Sequence, residues 1–250
     1  MPRAKEPVPT EQPSIPSVWT RPQRRRREQP ALSRDQIVSA AVELLDTDGI
    51  ESLSMRKLGT RLNAGATSLY THVSNKDELI ELVVDQIYGE IDVPTAKAAD
   101  DWRAAAVECA HNIRAALLRH PWIASVLGEL AMSHLGPNMM RLSEDMLTVF
   151  EAGGFDLVSA ESALETVWAY VIGIATTEAA YLTMLARSGQ SEQEWLDKVW
   201  PAAREAAKPF PRMRRLAEER ERGVADETRR GSFEIGLDCV LDGVVARLAP

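Results

Sequence analysis

The first strong periodicity in the chain begins at residue 37, where Ile37, Val38, Ala41, Leu44 and Leu45 recur at helical spacing and Arg34, Asp35, Ser39 and Glu43 take the other side. Ser33 and Gln36 stand as a capping box, Leu32 and Ile37 as the hydrophobic staple around it, and Gly49 as the stop. Leu53 and Ser54 repeat the apolar-then-cap start, with Leu58 placed to meet Leu53 and Leu62 on the same face. Asn63, Ala64 and Gly65 break this second helix, and Ala66 to His72 form a third whose Leu69 and Val73 face inward. Two short helices joined by a tight turn containing glycine make a helix-turn-helix.

Ser74 is read as the cap of a helix from Lys76 to about Ile91, with Leu79, Leu82, Val83 and Ile87 as its buried stripe and Pro94 beyond its end. Further helices are predicted over Trp102 to His120, Trp122 to Ala131, Pro137 to Ala152, Leu157 to Arg187 and Thr228 to Leu248. No stretch alternates convincingly with period two, so the fold class is all-α: a three-helix unit of the helix-turn-helix type and then a larger helical domain. The helix from Leu157 is rich in small residues, Ala169, Gly173, Ala175, Ala179 and Ala180, among Val167, Trp168, Val171 and Ile172. The last helix is apolar on more than one face, through Phe233, Leu237, Val240, Leu241, Val244, Val245 and Leu248, and so needs more than one neighbour. Between them, Ser191 to Val224 is strongly charged, contains Pro201, Pro209 and Pro211, and reads as an exposed helical connection.

Composition sets outer limits. With 250 residues, 45% hydrophobic and 26% charged, the chain is that of a globular protein. Its longest uncharged, mostly apolar run, Thr166 to Thr177, falls short of the ~18 residues a bilayer requires, and the N-terminus lacks an apolar signal core. Cys109 and Cys239 have no C-x-x-C spacing, so a reducing, cytoplasmic setting without membrane is expected. Neither a metal nor a cofactor is expected.

The net charge of −8 argues against nucleic-acid binding until it is divided along the chain. Residues 1–32 hold seven of the 14 prolines and carry +4, with Arg24, Arg25, Arg26 and Arg27 in a row; residues 33–90 carry −5 and residues 91–250 carry −7. From Ser54 to Lys76, Arg56, Lys57, Arg61 and Lys76 occur without one Asp or Glu, whereas acids resume at Asp77. A surface that approaches phosphates is cleared of carboxylates in this way. The acidity elsewhere would then repel DNA from every part except the reader.

The runs Leu-Ser-Arg-Asp-Gln-Ile-Val-Ser-Ala-Ala-Val-Glu-Leu-Leu, Asp-Gly-Ile-Glu-Ser-Leu-Ser-Met-Arg-Lys-Leu-Gly and Ser-Leu-Tyr-Thr-His-Val-Ser-Asn-Lys-Asp-Glu-Leu resemble the DNA-binding domain of the tetracycline-repressor (TetR) family over about residues 32–90. The remainder of the chain resembles, less distinctively, the ligand-binding domain of the tetracycline-repressor-like branch. The resemblance implies a bacterial homodimer that binds double-stranded, near-palindromic operator DNA and releases it when a small molecule of unknown identity occupies the larger domain. It divides the chain into a basic arm (1–31), a helix-turn-helix domain (32–78) and a ligand-binding and dimerisation domain (79–250).

By this resemblance Ala66, Thr67 and Ser68 meet base edges in the major groove, Arg56 reaches a guanine or an adjacent phosphate, and Tyr70, His72 and Lys76 clamp phosphates. Tyr70 is rotated about 100° from inward-facing Leu69, which favours the phosphate over the core. Lys76 opens a helix, where its charge opposes the helix dipole, so a functional reason is expected. The arginines at 24–27 lie where a basic arm can track phosphates or enter the minor groove. The resemblance also implies that the helix after Lys76 links the domains, with a tilt that sets the spacing of the two recognition helices, and that the helix from Leu157 and the last helix form a four-helix dimer interface with their symmetry mates; packing within one chain alone is the plain alternative.

A pocket between the helices starting at Trp102, Pro137 and Leu157 is implied, with Cys109, Ile113, Met140, Leu147, Trp168, Ile172 and Thr176 as lining residues that serve equally well as ordinary core. His111, His120 and His134 fall on no motif matching the family's magnesium-chelating set, so a metal-dependent tetracycline response is not expected. An enzyme is disfavoured because no G-x-S-x-G, H-E-x-x-H, P-loop or dinucleotide fingerprint occurs. An activator on the same fold, and a ligand sensor that does not bind DNA, stand as alternatives. Deleting residues 1–30 is expected to weaken DNA binding and flatten its salt dependence, since each arginine on a phosphate releases about 0.9 counterion. Anisotropy titrations over a salt series check this, and identical slopes for the two chains would contradict it.

Overall fold

A computed structural model describes residues 32–96, 101–127, 135–221 and 225–248, so the basic arm with Arg24 to Arg27, and His134, lie outside the described residues. The first helix, α1 (Arg34–Asp48), opens on a closed capping box: the Ser33 hydroxyl accepts from the Gln36 amide at 3.1 Å, and the Gln36 side chain accepts from the Ser33 amide at 2.9 Å. Gly49 closes it at φ 75°, a left-handed conformation that costs glycine little. After a 3₁₀ turn at Ile50–Ser52 comes α2 (Met55–Arg61), whose first turn is capped by the Ser54 hydroxyl, and then α3 (Ala66–Tyr70). Leu53 and Leu58 are both buried, as their staple spacing requires.

The linking helix, α4 (Lys76–Gly89), begins where the pattern places it, but Asn75 and not Ser74 is its cap. The Asn75 side chain accepts from the Glu78 amide at 2.7 Å, whereas Ser74 donates its backbone N–H to the Glu78 carboxylate at 3.1 Å. Asn75 is the residue next to the first helical one and reaches the third amide directly, the geometry a cap requires.

The larger part comprises α5 (Trp102–Arg119), a 3₁₀ turn at Pro121–Ser125, α6 (Pro137–Ala152), α7 (Leu157–Ser188), α8 (Glu192–Ala207), α9 (Pro211–Glu221) and α10 (Ala225–Leu248), with no strand among the described residues. The helix expected from Trp122 is a 3₁₀ turn as far as Ser125, because Pro121 starts a new segment where His120 closes α5. The charged connection expected over 191–224 contains two exposed helices, the first opened by a Ser191–Glu194 capping box.

One buried cluster runs from Ile37 of α1 to Val244 of α10, and α7 packs against α5, α6, α10 and the second 3₁₀ turn. The small residues of α7 divide between two faces. Ala175 and Ala179 are buried in the protomer, whereas Ala169, Gly173 and Ala180 are exposed. Exposed on the same helix are Val158, Ile174, Leu182 and Met184, and on α10 Ile235 and Val245. By length and hydropathy α7 also suffices to cross a membrane, although Glu161, Glu165 and Glu178 interrupt it.

In the reader, Ala64 donates its N–H to the Gly59 carbonyl at 2.8 Å, and a Cβ on Gly59 would stand 2.7 Å from the Ala64 carbonyl oxygen. The turn lies directly on the α2 backbone, with Asn63 at φ 50°. Gly59→Ala is therefore expected to destabilise the fold by about 1–3 kcal/mol, the usual cost of overpacking a rigid contact. Urea unfolding monitored by circular dichroism measures it, and an unchanged midpoint would contradict this packing.

Candidate nucleic-acid interface

Helix α3 presents two sharply different faces. Leu69 is fully buried and Val73 joins it in the core, while Thr67, Ser68 and Tyr70 are exposed or partly so and Ala66 is half-buried. Tyr70 keeps 51% of its surface, so its ring is not a core ring. The helix ends at Tyr70, two residues before the expected end, and half-buried His72 lies in the turn after it. The His72 carbonyl accepts from Arg34 Nη2 at 3.4 Å, a long contact that ties the end of this segment to the first position of α1. Arg34 is legible on the argument applied to Lys76, since both are cations in the first turn of a helix.

The stretch without acids looks different in space. Lys57 pairs with Asp48 at 2.8 Å and Arg61 with Glu43 at 2.7 Å, both partners coming from α1. Arg56 and Lys76 are exposed and form no ion pair among the described residues. Two of the four cations are thus already paired within the protomer. Ser68, Thr67 and Ala66 carry no side chain able to bind a base in bidentate fashion; they can offer only single hydrogen bonds and methyl contacts. A shallow groove of about 520 Å³ between α1 and α2 is walled by Asp35 and Glu43, which makes that side unfavourable for phosphate.

Helix α4 carries the reader, and its far end is locked to α6 by two caps that point in opposite directions. Asp85 of α4 accepts from the backbone amides of Asn138 and Met139, both at 3.1 Å, and from the Asn138 side chain at 3.0 Å. In return, Arg141 of α6 donates to the carbonyls of Tyr88 and Ile91 at 3.3 and 3.2 Å. Each charge meets the helix end of opposite partial charge. Burial pushes the Asp85 carboxyl above its ordinary range, against the pull of these hydrogen bonds and of Arg141. Gly136 allows the approach, because a Cβ there would overlap the Asp85 carboxylate. Trp168 of α7 packs on Tyr88 of α4 with ring centroids 5.7 Å apart.

The residues expected around a pocket fall into three environments. Cys109 and Ile113 are fully buried, and burial pushes the Cys109 thiol up to about 12, so it offers volume and no thiolate. Leu147, Trp168 and Ile172 are half-buried against the core, and the half-buried Thr176 donates its hydroxyl to the Ile172 carbonyl at 2.7 Å. Met140 is exposed on the first turn of α6. Nearby, Arg114 forms a two-pronged pair with Glu178 at 2.7 and 2.9 Å and lies 5.1 Å over the Phe233 ring. Among the described residues no three His, Cys, Asp or Glu side chains converge as metal ligands.

Residues 37–83 match the family model "Bacterial regulatory proteins, tetR family", and residues 93–248 match "Tetracyclin repressor-like, C-terminal domain". The chain is 41% identical over 165 residues to an HTH-type transcriptional regulator of Saccharopolyspora erythraea, covering 66% of this chain and 69% of that protein. It is 31% identical to the transcriptional repressor DrrR1 of Streptomyces coeruleorubidus, over 90% of this chain and 81% of the relative. In structure it resembles ActR of Streptomyces coelicolor with a TM-score of 0.70 at 28% identity, over 88% of this chain and 97% of that one; ActR has also been solved in complex with actinorhodin. These relatives are named as transcriptional regulators. The chain belongs to the TetR family of helix-turn-helix, DNA-binding transcriptional regulators with a ligand-binding C-terminal domain.

Proposed function

We propose that this chain is a cytoplasmic repressor that binds a palindromic operator as a homodimer, joins the nucleoid while bound, and releases DNA when a small molecule enters the sensor. The observation that carries the reading is the divided face of α3: a buried Leu69 anchors the helix while Thr67, Ser68 and Tyr70 stand outward between uncompensated Arg56 and Lys76. In this arrangement Ala66, Thr67 and Ser68 meet base edges, Arg56 makes the strongest specific contact, and Tyr70, His72, Lys76 and the arm arginines 24–27 hold phosphates. The working division is arm 1–31, reader 32–78 and sensor 79–250.

The dimer reading rests on the exposed apolar and small residues of α7 and α10. Ala169, Gly173 and Ala180 on α7, and Cys239, Gly243 and Ala246 on α10, recur at helical spacing on the uncovered sides. Small residues at that spacing let two helices approach closely. A second copy fits this face better than lipid does, because Glu161 and Glu165 stand exposed on the same helix and an unpaired carboxylate is costly in a bilayer. The effector would enter between α5, α6 and α7 beside Cys109, Ile113, Leu147, Trp168, Ile172 and Thr176, with Met140 at the rim; ActR binds actinorhodin, which makes that compound a first effector to try.

Selection from a random duplex pool is expected to enrich a palindrome, bound by a species of twice the chain mass in light scattering. Failure to enrich any sequence, or a stable monomer, would overturn the reading. On the enriched duplex, Arg56→Ala is expected to cost about 1–3 kcal/mol and to relax base choice. Lys57→Ala and Arg61→Ala, which remove cations already paired on the surface, should cost less than ~1 kcal/mol. Anisotropy titrations compare the three, and equal losses would contradict the assignment of Arg56.

A further inference from the structure

His120, at the end of α5, is one of three polar or charged residues that are buried among the described ones, and it lies where the reader meets the sensor. Its Nδ1 is 2.7 Å from Asp46 Oδ1 in the last turn of α1, and its Nε2 is 3.2 Å from Glu90 Oε2 just past α4. The same Asp46 oxygen accepts from Trp122 Nε1 at 2.7 Å, and the same Glu90 oxygen accepts from Arg119 Nη1 at 2.6 Å. One imidazole from the sensor thus joins the C-terminal ends of both helices that frame the reader. Each ring nitrogen therefore faces a carboxylate oxygen, one on each of two helix ends.

We infer that His120 is a positioning residue for operator binding: it fixes the angle of the reader on the sensor, so that the two recognition helices of a dimer are held at the spacing of successive major grooves. The inference rests on the proposed homodimeric binding of a palindrome. No side chain of this cluster lies on α3, so removing the bond leaves the contacts of one reader with one half-site unaltered. What changes is the spread of reader angles that must be suppressed when both half-sites, about 34 Å apart, are engaged together. Ordering a loosened domain on binding subtracts from affinity. A residue that only supported the fold would weaken half-site and full-site binding alike.

The test uses the palindrome enriched by the full-length wild-type protein and a duplex carrying one intact half-site. His120→Gln removes the ring whose two separate nitrogens bridge the carboxylates; Asp46→Asn and Glu90→Gln each replace a carboxylate while keeping an acceptor oxygen, and Glu90 is exposed enough for its variant to fold. Each variant is expected to lose roughly fivefold to tenfold in full-site affinity, with half-site affinity within about twofold of wild type. His120→Gln combined with Asp46→Asn should lose less than the product of the two, since both break one network. Equal losses on both duplexes, or unchanged full-site affinity in all three variants, would overturn the inference. A wild-type chain that binds no duplex would instead overturn the proposed function.

Discussion

The reader's last helix is held at its far end by a reciprocal cap, where Asp85 of α4 caps the start of α6 and Arg141 of α6 caps the end of α4. Helix ends leave backbone amides and carbonyls without partners, and here each helix supplies the other's missing group. The two ends cannot separate without leaving a buried carboxylate and several backbone groups unsatisfied, a cost of several kcal/mol. Moving α6 relative to α4 would break these contacts, and α4 carries Lys76 at its other end. Gly136 is the steric condition for this contact, since any side chain there would displace Asp85.

Sorting of charge governs the interface in a similar way. A net charge of −8 is compatible with DNA binding because charge is separated in space, not merely along the chain. Glu43 and Asp48 of α1 take up Arg61 and Lys57, whereas Arg56 and Lys76 form no ion pair among the described residues. Fewer free cations mean fewer released counterions and less affinity for arbitrary DNA, which raises the share of binding that depends on base contacts. The weak individual contacts available to Ala66, Thr67 and Ser68 are consistent with specificity drawn from two half-sites together.

Much of this architecture is legible in the sequence, for a physical reason. Capping boxes, staples and helical stripes are local, and Ser33, Gln36, Leu53, Ser54 and Leu58 signal them within a few residues of where they act. The shift of the α4 cap from Ser74 to Asn75 is the scale of error expected where two capping residues are adjacent. The turn at Pro121 reads as helix in the sequence because Trp122 and Ile123 are apolar on a helical pattern, although their segment packs against α1 and α7 as a 3₁₀ turn. The pairs at the junction, Asp46 with His120 and Asp85 with Asn138, and the pair of Glu43 with Arg61 inside the reader, lie 18 to 74 residues apart and leave no trace in spacing. For that reason His120 reads in the sequence as a histidine without a role, and Arg61 and Lys57 read as free as Arg56.

Two readers, each held rigidly by its α4 on a common dimer core, must engage successive major grooves if this arrangement is what binds the operator. A spin label at Thr71→Cys, at the end of α3, measures this by pulsed dipolar spectroscopy in a chain whose exposed Cys239 is replaced by serine; buried Cys109 does not react. On operator duplex the distribution is expected to be one narrow interprotomer peak consistent with recognition helices about 34 Å apart. A broad distribution on DNA, or no interprotomer coupling at all, would contradict it.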